Sequence, residues 1–320
     1  MKKSLTISFL FLFITIFGFA FSPCSLWAHG IVGQRFFPAT LSVDDPFVAD
    51  EMTLLAYSHI PNPEPADSTH TLSQAYHAGV SKRLTRDLGI ELTAAYLQDH
   101  FDGGNIEGFD NLAAAVKYVM FNSPAHEFLM ASSLDFDIGG TGTRTVGDPF
   151  TTVTPNLFFG YGLGDLPDSL MYLRPFAITG QVGIGVPFTD GSSNNGTSDY
   201  SSSLNYGFTV MYSTMYLQSF VKDIGLPKPF SRTIPVVEFT FNNPINGPNQ
   251  YNSPQSYAYP GFLWIGKYWE LGLEAVVPMN STTGSQTGVQ ALVHLFLDDL
   301  APQIFTRTLS GEVLGPTQTK

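Results

Sequence analysis

The chain has a single cysteine among its 320 residues. It is Cys24, inside an apolar leader, and Pro23 precedes it where lipoprotein-type attachment asks for a small residue. Once the leader is removed no disulfide framework is possible, although an exported compartment would permit one. Charge is also scarce, at 13% of residues, about half the share of a typical soluble domain. Cations are the scarcer sign, with 15 Lys and Arg against 27 Asp and Glu. That balance argues against nucleic acid as a partner, because such affinity needs clustered cations. It argues equally against adsorption to an anionic lipid surface through basic patches. Beyond the leader there is no continuous apolar run long enough for a membrane helix.

The leader itself is informative. Lys2 and Lys3 precede an apolar run from Leu5 to Phe21, and a polar break follows that ends in "SLWA". These are the three regions of a secretory signal, with cleavage expected after Ala28. The alternative, an uncleaved anchor helix, has only about 17 apolar residues, the short limit of a span. The expected divisions are a signal peptide (1–28), an N-terminal periplasmic segment or plug (29–49), a barrel (50–297) and a periplasmic C-terminal tail (298–320).

What the chain does have is 43% hydrophobic residues, 14% aromatics and 30 glycines. An exported chain of that kind, without a spanning helix, is either a secreted β-sandwich or an outer-membrane β-barrel. Strands are expected near 50–58, 72–85, 89–100, 110–121, 127–139, 152–163, 169–186, 202–217, 233–243, 256–266, 268–279 and 286–297. Most reach the ~9–11 tilted residues of a membrane strand, whereas soluble strands run to about five or six. The connections alternate. Short ones such as "TRDLG" (85–89), "NSPAHE" (122–127) and "GDLPDS" (164–169) fall between long ones such as "HIPNPEPADSTH" (59–70), "FDGGNIEGFD" (101–110) and "FTDGSSNNGTSDYS" (188–201). Brief periplasmic turns and larger external loops are the asymmetry of a membrane barrel. One connection, 219–233, is long on the short-turn side, with a helical turn expected before Pro227.

The facing pattern decides between the two architectures. In "SSLDFDIGG", Leu134, Phe136 and Ile138 alternate with Asp135 and Asp137, so one face of the strand is apolar and the other charged. Ile90, Leu92, Ala94 and Tyr96 oppose Glu91, Thr93 and Asp99, while Trp269, Leu271, Leu273 and Ala275 oppose Glu270 and Glu274. A soluble sandwich would cover its outer face with far more Lys and Glu. A barrel in lipid reverses the arrangement, apolar outward and polar inward. The expected fold is therefore all-β: a transmembrane antiparallel barrel of about twelve strands in the outer membrane of a Gram-negative cell, both termini periplasmic. Closure removes the sheet edges that lipid would not tolerate. Tyr161, Tyr172, Tyr259, Trp264, Tyr268 and Trp269 are expected at strand ends, in aromatic girdles.

Two stretches carry a family resemblance. "AHGIVGQRFFPATLSVDDPF" after the leader and "VSKRLTRDLGIEL" across the first short turn resemble the phenol-degradation meta-pathway outer-membrane proteins, which are transporter-like barrels. The resemblance implies a barrel of about this size and passage of small hydrophobic or aromatic compounds. It implies no catalytic residues. The continuation past the last strand, "DDLAPQIFTRTLSGEVLGPTQTK", departs from barrels that stop at an aromatic residue.

The candidate lumen set is Arg83, Glu91, Lys117, Asp135, Asp137, Glu238, Glu270, Glu274 and His294. These residues either line a selective channel or pair to stiffen a filled interior, since about twelve strands lies between filled and open barrels. With carboxylates in excess, an open pore should prefer cations. The segment from His29 to Asp50, with Phe36, Phe37 and Phe47, either folds into the lumen as a plug or rests at the rim as a tether. Cleavage would expose His29, whose amine and imidazole suit copper, but His126 alone offers a further donor and no spacing defines a site. No metal or other cofactor is expected.

Catalysis finds little support. His77 and Ser81 share a face that turns inward, and no third residue is placed to orient the base. The sequons at Asn195 and Asn280 read as loop residues. The function expected is passage of small solutes, with outer-membrane lipid and the solute as partners. A lipid-acting enzyme and a structural or surface-binding barrel are the alternatives.

Overall fold

A computed structural model describes residues 30–64, 68–188, 202–245 and 253–305. The leader with its cleavage site, His29, the Asn195 sequon and residues 306–320 lie outside these. The chain enters as a small hairpin, β1 (Ile31–Val32) and β2 (Arg35–Phe36). A segment without regular structure then leads to the wall strands. These are β3 (Glu51–Pro61), β4 (His70–Arg83), β5 (Leu88–Phe101), β6 (Gly104–Phe109), β7 (Leu112–Ser123), β8 (Phe128–Ile138) and β9 (Thr151–Gly162). The second half adds β10 (Phe176–Phe188), β11 (Ser203–Tyr212), β12 (Thr233–Pro244), β13 (Gln255–Ile265), β14 (Trp269–Pro278) and β15 (Gly288–Phe296).

Each wall strand pairs antiparallel with its neighbour, and β15 pairs back onto β3 from Val289↔His59 to Phe296↔Glu51. β6 and β7 share one place in the wall: β6 pairs with the outer half of β5 and β7 with its inner half. The result is a closed barrel of twelve strands. Closure satisfies the backbone without water, which is the condition for a sheet in hydrocarbon.

The outward face is apolar. Leu92, Leu112, Val116, Leu134, Leu157, Val182, Ile184, Phe262 and Leu273 are all exposed on the outside of the wall. An apolar surface of that extent is unfavourable in water and favourable against acyl chains. Two bulges modify the alternation. Register slips between Thr53 and Ala56 and between Val119 and Phe121 put Leu54 and Leu55, and Met120 and Phe121, outward in consecutive pairs. A bulge inserts one residue, so a strict two-residue period misses such pairs.

Several boundaries differ from the expected ones. Residues 101–110 are a tight turn at Asp102 and Gly103 followed by the strand β6, which pairs back along the outer half of β5. The strand expected at 169–186 begins only at Phe176, since Asp168–Leu173 forms a 3-10 helix after Pro167. The strand expected at 202–217 ends at Tyr212, where the Ser213 side chain caps a short helix by accepting from the Tyr216 N–H. Of the expected girdle, Tyr172 lies on that 3-10 helix and Tyr259 is buried, facing inward. At the short-turn end, aromatics pack as pairs on neighbouring strands: Phe128 with Tyr161 at 6.2 Å, Phe176 with Tyr212 at 4.8 Å and Trp264 with Trp269 at 4.8 Å.

The interior holds the other surprise. At the short-turn end the inward face is apolar too: Leu129, Ala177, Met211, Ile234, Val236, Leu263, Ile265 and Phe296 form one buried cluster with Val32 and Phe37 of the entering segment. The expectation of a polar, wet inner face therefore fails over this end. Those wall residues meet protein, not water.

Candidate functional site

Residues 30–50 run inside the barrel, touching strands from opposite sides of the wall. Leu41 would be struck at 2.7 Å by a Cβ on Gly272 of β14, and Val48 at 2.5 Å by one on Gly89 of β5. Glycine at these two places leaves room for the segment to pass. Phe37 is buried and packs on Phe47 at 5.7 Å, while Phe36 meets Phe296 at 6.3 Å.

Polar contacts hold the segment in place. The Glu238 carboxylate on β12, fully buried, accepts from three consecutive main-chain N–H groups: Leu41 at 2.9 Å, Ser42 at 3.2 Å to each oxygen, and Val43 at 2.6 Å. From the opposite wall, Lys117 Nζ on β7 donates to Asp44 Oδ2 at 2.7 Å and to the Asp45 carbonyl at 2.9 Å. Gln181 Oε1 accepts from the Asp44 N–H at 3.0 Å, and Gln290 Nε2 donates to Ser42 Oγ at 2.8 Å.

The hairpin is anchored at the short-turn end. Arg35 is fully buried, its Nε 3.0 Å from Glu127 Oε2 and its Nη1 2.8 Å from the Pro175 carbonyl. Its Nη2 donates to the Arg174 carbonyl, and the guanidinium lies 3.9 Å from the centre of the Tyr216 ring. One planar fork thus joins three separate turns, a task that suits arginine's fixed donor geometry.

The remaining expected site residues occupy distinct places. Glu274 Oε2 accepts from Gln290 Nε2 at 2.6 Å, and Glu270 stands opposite His294 in the β14–β15 register, both buried. His294 Nε2 is 3.3 Å from Glu51 Oε2, and its Nδ1 is 3.2 Å from Thr53 Oγ1. Glu91 accepts from Thr93 Oγ1 at 3.2 Å, in the neighbourhood of Lys117. Asp135 accepts from Ser133 Oγ at 2.5 Å and Asn156 Nδ2 at 2.6 Å, and Asp137 from Asn111 Nδ2 at 2.8 Å. Arg83 is at the rim, 3.2 Å from Asp298 and 3.7 Å from Asp50, so it ties the tail to the wall. Glu238, Glu270, Glu274 and His294 thus gather on β12, β14 and β15, while Asp135 and Asp137 stand apart on β8.

Sequence reasoning missed Arg35, Glu127, Gln181 and Gln290. The signal for Arg35 was a lone cation inside "IVGQRFF"; the others carried none, because their partners are remote in the chain. The apolar inner belt was foreshadowed by "IPVV" (234–237) and "FLWI" (262–265), where both faces of a strand are apolar.

Above the segment, toward the long loops, a cavity of about 330 Å³ opens between β10, β11, β12 and β13. Two cavities flanking the segment's lower part hold only about 20 Å³ and 10 Å³. Ser81 Oγ donates to the Ala49 carbonyl at 3.1 Å, so its hydroxyl serves the segment and not His77. Among the described residues no group of three or more His, Cys, Asp and Glu is placed to hold a metal ion. His126, on the short turn between β7 and β8, has Asp165 at 2.7 Å.

No family model and no curated protein matches the chain. Among solved structures it is similar to an outer-membrane channel from Pseudomonas putida F1, at 11% identity over 82% of this chain and 99% of that one, with a TM-score of 0.52. The NanC porin (8% identity, 76% and 98% covered, TM-score 0.48) and the KdgM porin (11%, 75% and 97%, 0.43) are more distant in shape. What the chain shares with that channel is the fold, a closed antiparallel β-barrel.

Proposed function

We propose that the protein is an outer-membrane channel for small solutes in a Gram-negative cell, with residues 30–50 acting as a plug that must shift before solute passes. One observation carries this reading: the large outer cavity ends on a segment held by side-chain contacts, not built into the wall. Passage is passive or driven by the solute gradient. The family resemblance adds hydrophobic or aromatic compounds as the cargo, and the carboxylates that outnumber Lys117 around the segment favour cations once the lumen opens. A lipid-acting enzyme fits less well, since the Ser81 hydroxyl is committed to Ala49 inside the barrel. A structural or surface-binding barrel would not need a cavity that runs down to a separable segment.

The test is conductance of the refolded mature chain in a planar bilayer, with and without residues 29–49. The intact chain should be silent or open rarely, and the truncated chain should conduct in discrete steps. Equal conduction by both removes the plug. Silence from both, in barrels shown to be folded by their β-sheet spectrum, removes the channel.

A further inference from the structure

The outer cavity carries its own chemistry. Its walls present Gln181 from β10, Asn205 from β11, Asn242 from β12 and Gln255 and Tyr257 from β13, with Ser42 of the plug among its lining residues. These strands place alternate residues inward, so four side-chain amides converge on one space together with the rings of Tyr257 and Tyr259. None of the described residues that line the cavity is charged. The nearby Glu238 carboxylate is turned to the amides of 41–43 and is fully buried.

Internal bonds orient these amides. Asn242 Nδ2 donates to Asn205 Oδ1 at 2.7 Å, which leaves the Asn242 oxygen as the atom to accept from a ligand. Gln181 Oε1 accepts from Asp44, which leaves its NH2 to donate. The cavity thus offers an acceptor on β12 and a donor on β10, with β11 between them, a separation that hydroxyls on different sides of a ring span. The Tyr257 ring adds an apolar face for the ring's C–H side.

We propose that this vestibule is a recognition site for an uncharged ring bearing several hydroxyl groups. About 330 Å³ is at the lower end of small-molecule sites, room for one or two such rings and not for a polymer. A charged solute would leave water and find no countercharge among the described lining residues. A bare hydrocarbon would strip water from the amides and return no hydrogen bond. The resemblance implies hydrophobic or aromatic cargo; this wall asks instead for hydroxyls around the ring. The proposal rests on the channel reading for its role in passage, but binding is measurable without transport.

The experiment titrates the refolded full-length chain in detergent micelles with myo-inositol, maltose, glucuronate and toluene, read by saturation-transfer NMR. Myo-inositol or maltose should bind saturably, and glucuronate and toluene at least about tenfold more weakly, as expected of a site built to hydrogen-bond hydroxyls. Gln181→Leu combined with Asn242→Leu should weaken the neutral ligand by about tenfold or more. Asn242→Asp, which keeps the shape and so guards against misfolding, should also weaken it. Glucuronate or toluene binding as well as inositol, no saturable neutral binding, or variants that bind like the parent would each overturn the proposal. Liposome swelling separates the two readings. A chain that binds inositol yet passes nothing keeps the site and loses the channel; one that passes inositol and glucuronate alike keeps the channel and loses the site.

Discussion

On the proposed plug reading, removing the Glu238 carboxylate should release residues 30–50 from the wall. Its two oxygens serve three consecutive amides, at 2.6 to 3.2 Å, and among the described residues no other side chain bonds to those amides. A hydrogen bond to a charged group contributes about 1.5–3 kcal/mol net, so three would give roughly 5–9 kcal/mol if none were replaced. Ser42 lines the outer cavity, so water entering there would take over part of the loss. The working value is therefore about 4 kcal/mol, inside the ~3–5 kcal/mol typical of removing one member of a buried charged contact. At about 1.4 kcal/mol per tenfold, that raises the displaced fraction by roughly three decades. The assay is single-channel recording of refolded Glu238→Ala beside the parent, with hydrogen exchange at the amides of Leu41, Ser42 and Val43. Openings should become frequent in the variant and those amides should exchange faster. A variant as silent as the parent, with protection at 41–43 unchanged, would refute the reasoning.

Three further outcomes follow from particular contacts. Gly89→Ala places a methyl 2.5 Å from Val48 Cγ1, so it should destabilise the full chain by about 1 kcal/mol through overpacking and leave a chain lacking 29–49 nearly unaffected in thermal unfolding. Burial pushes the Asp298 carboxyl up to about 7, against the opposing pull of Arg83. Because this lies above the unfolded value of about 3.9, docking of the tail is favoured in full below that pH and weakens as pH rises through about 7. Protection of the amides over 298–305, measured as exchange relative to the intrinsic base-catalysed rate, should fall between about pH 4 and pH 7, and Asp298→Asn should flatten that dependence. In the chain lacking 29–49, Asp135→Asn with Asp137→Asn should reduce cation preference, read as a shift in reversal potential under a salt gradient; an unchanged potential would take those aspartates out of the ion path.

The barrel was legible because its causes are local. Alternation such as Leu134, Asp135, Phe136, Asp137 depends only on the two-residue period of a strand, and the rarity of Lys and Glu rules out a soluble outer face. The errors were local as well. Pro167 and Ser213 begin helical turns where the apolar pattern ran on, and the bulges beside Leu54 and Met120 shift the facing by one residue. Tyr259 was expected at a girdle and instead points inward to Thr240 at 3.0 Å.

The arrangement of the inward charges was another matter. Glu238, Glu270 and Glu274 could be assigned to an inner face by parity alone, yet parity says nothing about what each meets across the lumen. Glu238 reaches residues 41–43, almost two hundred positions earlier, and Arg35 joins turns near 127 and 175. Strand periodicity and composition are properties of neighbours along the chain, so the sequence by itself determined a closed, lipid-facing barrel and, away from the bulges, which residues turn inward. Whether the lumen is filled, by which segment, and where an uncharged cavity is left depends on contacts made only when the barrel closes. Those the tertiary structure alone decided.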